Sequence, residues 1–126
     1  MTLVLSSGAV SALGEGDPRV RRIVSAARAA DLTAITSAAV VAEVTGRGAR
    51  DAPTYRVLAG LDVVRVGERL ARLAGVLRHR SGVSATVDAL VVATAVARGE
   101  GVVLTADTDD MTRLTGAAPG VEARRW

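Results

Sequence analysis

The sequence predicts an α/β domain in which a mostly parallel sheet is covered by helices on both faces. Two observations carry this. Leu3-Val4-Leu5 and Val102-Val103-Leu104 are short continuous apolar runs bounded by turn signals, the pattern of strands buried on both sides. Between them lie longer segments whose apolar residues recur at three- and four-residue spacings, with caps and glycine stops at their ends. The chain has 126 residues, 49% hydrophobic and 23% charged, which suits one domain spanning 1–126 with a core of its own.

Taken in order, Leu3 to Leu5 is the first strand, ending at Ser6-Ser7-Gly8, and Gly8 to Leu13 is a small, apolar helix broken by Gly14-Glu15-Gly16. Asp17-Pro18 is a helix start, with the acid at the cap and proline in the first turn. Val20, Ile23, Val24 and Ala27 then form its apolar face, and the helix ends near Ala30-Asp31. Leu32 to Ile35 is a second strand, with Thr36 or Ser37 capping a helix over Ala38 to Thr45 that Gly46-Arg47-Gly48 stops. Pro53 to Gly60 is a short helix, and Val63 to Val66 a third strand placed toward an edge because Arg65 interrupts it. Glu68 to His79 is amphipathic, with Leu70, Leu73, Ala74 and Leu77 facing inward.

The most informative stretch is Val87 to Met111. Val87, Leu90, Val91, Thr94 and Ala95 make one helical face, Gly99-Glu100-Gly101 turns the chain, and Val102 to Leu104 returns as a strand that ends at Thr105-Ala106-Asp107-Thr108-Asp109-Asp110. Met111 to Leu114 adds one or two helical turns. Gly116 to Gly120 is a turn, and Val121 to Arg124 a last short strand.

Composition narrows the chemistry. There is no cysteine, which removes disulfides, thiolate metal sites and cysteine nucleophiles. All sixteen basic residues are arginine, so a P-loop lysine, a Schiff base and a lysine general base are also excluded. No apolar run reaches the roughly 18 residues a membrane span needs, so no membrane association and a cytoplasmic location are expected. The single histidine, His79, sits among arginines on a polar face.

Acids remain. Asp88 lies in the first turn of its helix, Asp107, Asp109 and Asp110 follow a strand end, and Glu43 interrupts an apolar stretch. Each also has a plain structural reading: Asp88 as a partner of the helix dipole, Asp107 as a cap, Glu43 as a surface residue. If these five converge, sixteen arginines face eight remaining acids elsewhere, a surround of +8 about an acidic pit. That distribution suits a polyanion held beside metal ions, and carboxylates favour Mg²⁺ or Mn²⁺, which activate water and hold a phosphate in line.

The order of LSSGAV after the first strand, VVAEV, TVDALVVATAVARG and VVLTADTDDM resembles the PIN-domain nucleases, especially the VapC-like toxins of toxin-antitoxin operons, over nearly the whole chain. The resemblance implies a PIN-like three-layer α/β/α fold and an endoribonuclease that binds Mg²⁺ or Mn²⁺ through Glu43, Asp88 and Asp107, with Asp109 or Asp110 assisting and Thr105 beside them. It also implies RNA as substrate, a small antitoxin as partner, and a homodimer. One position departs: Ser6 stands where similar sequences carry an aspartate. A hydroxyl is a weaker ligand than a carboxylate and removes one negative charge, so weakened or absent cleavage is expected. A non-catalytic module of the same fold, binding RNA or an antitoxin, is the alternative.

Overall fold

The computed structural model describes residues 1–126. Five strands, β1 (Thr2–Leu5), β2 (Thr33–Ser37), β3 (Asp62–Val64), β4 (Gly101–Thr105) and β5 (Val121–Arg125), form one sheet in the order β3-β2-β1-β4-β5. Every pairing is parallel, so the sheet is wholly rather than mostly so. Seven helices connect the strands: α1 (Ser7–Gly14), α2 (Pro18–Ala29), α3 (Ala38–Val44), α4 (Ala52–Ala59), α5 (Glu68–Ser81), α6 (Thr86–Ala97) and α7 (Thr108–Gly116). No single helix is long and apolar enough to cross a membrane.

All four residues of β1 are buried, as a central strand covered on both faces requires. α6 lies across β1, β2 and β4 with α5 and α7 against it, while α1 and α2 pack on the sheet and α4 on α1. The sequence assigns α6 one apolar face. In the structure every residue from Ala89 to Ala95 is buried, because sheet and helices enclose α6 all round. Thr94 is tolerated inside it because its hydroxyl donates to the Leu90 carbonyl at 2.8 Å.

With no phenylalanine, the core is closed by small residues and near contacts. Ala89, Ala93 and Ala95 are fully buried, and the larger interior side chains are Leu5, Ile35, Leu104, Met111 and Leu114. Gly101 opens β4 where a Cβ would stand 3.0 Å from Thr2 Oγ1 and 3.3 Å from both the Thr2 carbonyl and Ala95 Cβ. The absent side chain lets β1, β4 and α6 meet at one point.

Several boundaries differ from the expectation. β2 begins one residue later and runs to Ser37, because parallel pairing with β1 carries Thr36 into the sheet opposite Leu5. β3 covers Asp62–Val64 rather than Val63 to Val66; as the edge strand it pairs only with β2, and pairing stops opposite Ser37. α7 runs for nine residues rather than one or two turns, since Asp107 caps it. Leu70 and Leu73 of α5 are only half-buried, with Ala74 and Leu77 forming the inner line.

One buried ion is invisible to periodicity. Asp51 is 1% exposed and its carboxylate accepts from Gly46 N at 2.7 Å, Arg47 N at 2.8 Å and Arg47 Nε at 2.8 Å. It holds the loop that leaves α3, where Gly46 and Gly48 adopt positive φ of 109° and 70°. Burial pushes the Asp51 carboxyl up, but the Arg47 and Gly46 hydrogen bonds and the Arg47 charge outweigh it and hold the group below the ordinary carboxylate value.

Two outcomes are expected. Gly101→Val overfills the junction and costs about 1–3 kcal/mol, read as a lower urea midpoint at unchanged m-value. Asp51→Asn lowers Tm by roughly 5–10 °C at neutral pH. Because the folded carboxyl titrates below the unfolded one, its stabilisation is present above about pH 3.9 and is lost as pH falls through the folded value, so the difference between wild type and Asp51→Asn narrows in acid.

Candidate metal centre at the carboxyl edge of the sheet

Three chain crossings bring the acids to one edge. β1 and β4 are adjacent and parallel, with Leu5 opposite Leu104, so Ser6 and the Thr105-Ala106-Asp107 segment emerge side by side; Ser6 N donates to the Leu104 carbonyl at 3.1 Å. β2 lies on the other side of β1 and passes directly into α3, which carries Glu43. The third crossing is α6. Its twelve residues span about 18 Å, close to the roughly 16 Å of five-residue β4. The short turn between them folds α6 back along β4, which returns Asp88, in the helix's first turn, to the carboxyl edge.

Asp88 shows the consequence. Its half-buried carboxyl is pushed above the ordinary value, first by burial and then by the negative charges of Glu43, Asp107 and Asp110. These four acids, from α3, α6 and the start of α7, therefore share one electrostatic environment. Asp109 is exposed and is not among the groups acting on Asp88.

The surrounding contacts fix where each acid stands. Asp107 caps α7 by accepting from Asp109 N at 3.1 Å. Thr105 sits behind it, buried; its hydroxyl donates to the Asp107 carbonyl at 3.0 Å and accepts from Asp107 N at 3.1 Å. Thr105 thus shapes the loop that presents the acid. Asp110 is paired with Arg113 at 2.7 Å, which offsets part of its charge. Glu43 is exposed and accepts a short hydrogen bond from the Ser7 hydroxyl, a contact between α1 and α3 that nothing in the spacing of the sequence announces.

Ser6 is 4% exposed and caps α1, its hydroxyl accepting from Ala9 N at 3.3 Å. Thr36 locks the strand end beside it by donating to the Leu5 carbonyl at 2.8 Å. Hydrogen bonds therefore hold the chain both before and after position 6.

No three of these side chains close on a common point as a ready coordination shell. The donor set nonetheless fits a hard divalent cation: it is all oxygen, and the repulsion that lifts the Asp88 carboxyl is what such an ion relieves. The largest surface groove lies elsewhere, between α2 and α4, lined by Arg21, Arg28, Arg56 and neighbours. It holds none of the acids.

Comparison with known proteins bears on the family and the fold. A family model for the PIN domain matches residues 4–116. No curated protein sequence matches the chain. Among solved structures the fold is similar to VapBC2 from Rickettsia felis bound to a DNA fragment from their promoter, with a TM-score of 0.77 at 16% identity, covering 100% of this chain and 99% of that one. It is also similar to a toxin-antitoxin complex from Klebsiella pneumoniae, with a TM-score of 0.71 at 19% identity over 95% of each chain. DNA-bound VapBC from Salmonella typhimurium gives 0.69 at 17% identity, covering 100% of this chain and 98% of that one. The family match takes in both strand ends, Glu43, Asp88 and the acids after β4, and by it the chain belongs to the PIN domain family.

Proposed function

We propose that this chain is a toxin-type PIN domain whose acidic centre binds Mg²⁺ or Mn²⁺ and acts on RNA phosphodiesters, with activity weakened by serine at position 6. The observation that carries the reading is the half-buried Asp88 carboxyl, raised by burial and by the charges of Glu43, Asp107 and Asp110. Carboxylates crowded at a strand edge repel one another, and here only Asp110 is paired with an arginine; clusters of this kind mark functional sites.

Glu43, Asp88 and Asp107 are the proposed ligands, with Asp110 close enough to tune them and Asp109 further out. A bound divalent cation supplies activation of water and neutralisation of phosphate charge. The chain's own contribution is placement. Thr105 and the cap of α7 set Asp107, Ser7 orients Glu43, and the turn after α6 sets Asp88. The net charge of +8 outside the five acids attracts a polyanion to the acidic edge.

The non-catalytic alternative has its own observation. The Ser6 hydroxyl is buried and engaged with Ala9 N, a structural task that leaves the edge one carboxylate short. Aspartate caps a helix as well as serine does, so Ser6→Asp restores the acid without removing the cap. For the partner, the similar solved structures are toxin-antitoxin complexes, which supports a small antitoxin protein bound to this chain. Self-association is proposed on the family resemblance.

Two measurements test the site. With structured RNA and Mn²⁺, Ser6→Asp is expected to cut at least about tenfold faster than the native chain, equivalent to ~1.4 kcal/mol of barrier, and Asp88→Ala in that background to lose roughly a hundredfold or more. Retention of RNA with no cutting by either form favours the binding module. The second measurement is stability without metal. A raised folded pKa at Asp88 means that its stabilising contribution is present in acid and lost as pH rises through the folded value. In EDTA, Asp88→Asn should therefore melt above the native chain at neutral pH and lose that advantage in acid, while added Mg²⁺ should raise the native Tm and leave the variant unmoved. A variant that melts lower than the native chain at neutral pH counts against the repulsive cluster.

A further inference from the structure

Trp126 follows β5 and is the chain's only tryptophan. β5 pairs with β4 so that Arg125 lies opposite Thr105, which sets Trp126 beside Ala106 at the same edge as the acids. Its indole crosses that edge. A Cβ at Gly8 would stand 3.6 Å from Trp126 Cη2, 4.0 Å from Ala106 Cβ and 4.0 Å from Ser6 Oγ. The ring thus spans from β5 over the end of β4 to the first turn of α1, a reach of two strand spacings, about 10 Å.

The ring packs on the core yet remains partly exposed, and the residue it approaches, Gly8, is exposed and has no side chain to cover it. Arg124 and Arg125, both exposed, precede it and take part in none of the chain's ion pairs. The other aromatic residue, Tyr55, stands on α4 and belongs to a different part of the surface. A partly exposed indole at the edge that carries the acids, preceded by unpaired arginines, combines the two elements that hold single-stranded nucleic acid without reading its sequence: an aromatic ring for a base and cations for the backbone.

We propose that Trp126 is a stacking platform for a nucleobase of the RNA, next to the phosphodiester presented to Asp88 and Asp107, with Arg125 holding the neighbouring phosphate. This rests on the RNA-directed function proposed above. Trp126 is a positioning residue: stacking one base limits which phosphate reaches the acids and favours unpaired over duplex RNA, because only an unstacked base offers its face.

The single tryptophan makes its own reporter. The full chain is titrated in EDTA, where no metal-dependent cutting occurs, with a short fluorescein-labelled single-stranded oligoribonucleotide and, separately, with inorganic polyphosphate, which has charge and no bases. Polarisation reads binding, and tryptophan emission, followed with the unlabelled oligonucleotide, reads the indole. The expected result is quenching of Trp126 by RNA in step with binding and little quenching by polyphosphate, an affinity loss of about tenfold or more in Trp126→Ala, and recovery of most of it in Trp126→Phe. Thermal melts of the variants separate lost stacking from lost packing, since a packing role alone moves Tm and leaves the affinity of folded protein for RNA unchanged. RNA that binds without quenching and binds Trp126→Ala equally well overturns the platform and leaves the RNA-directed function standing. Absence of binding to any RNA overturns both.

Discussion

The pairing of β1 with β4 is the constraint on which this molecule depends. Residues separated by about a hundred positions in the chain are hydrogen-bonded neighbours in the sheet, and the parallel register sends both strands out at one edge. Local preference cannot supply such a contact; it requires a crossover that closes a long loop and then offsets that entropy by burying apolar surface. α6 provides much of the burial. Its alanines and valines fit against the central strands without large side chains, and Gly101 removes the one Cβ that would hold β4 away from Thr2. A core without phenylalanine is thus compatible with a tightly closed sheet because small residues sit where elements cross.

The same closure creates the electrostatic cost at Asp88. A carboxylate in the first turn of a helix normally gains from the helix dipole. Here burial and three neighbouring acids act in the opposite direction, and the group's protonated form is favoured relative to a free aspartate. The structure accepts this because the scaffold beneath is over-determined: Thr105 fixes the loop, Thr36 ties β1 to β2, and Asp51 holds the far end of α3. These hydrogen bonds, and the Asp51–Arg47 ion pair among them, fix the backbone from which the repelling acids project.

Much of this was legible in the sequence, for identifiable reasons. The short apolar runs and the glycine stops mark all five strands and most helix ends, since each depends on residues close in the chain. Asp17-Pro18 announces α2 through cap chemistry alone. What escaped is set by pairing between distant segments. The extent of β2 depends on its register with β1, and the enclosure of α6 on three layers meeting around it. Asp51 and Ser7 escaped for another reason: one carboxylate in a glycine-rich loop and one serine beside another have no periodic signature, and their roles appear only when Arg47 and Glu43 are placed. Of the candidate acids, Asp107 and Asp109 are both exposed and share a local pattern, but only Asp107 is among the charges acting on Asp88, a distinction that only the helical path of α7 makes.

Several residues at this edge serve the fold and the proposed chemistry with the same atoms. Asp107 caps α7 through Oδ1, and Ser6 caps α1 through Oγ. Capping at a helix N-terminus accepts serine or aspartate with little difference in stability, because either oxygen satisfies the free backbone N–H groups. Exchange between them at position 6 therefore keeps the cap, while a carboxylate in that buried place adds one negative charge to the repulsion already felt by Asp88 and costs stability unless a cation offsets it. Stability offers no protection for the acid at that position, in contrast to Gly101 or Asp51, where packing or buried hydrogen bonds penalise replacement. A chain of this architecture carries serine at position 6 with every strand, helix and cap in place, so the presence of the fold and the strength of the proposed chemistry are separate properties of the same sheet edge.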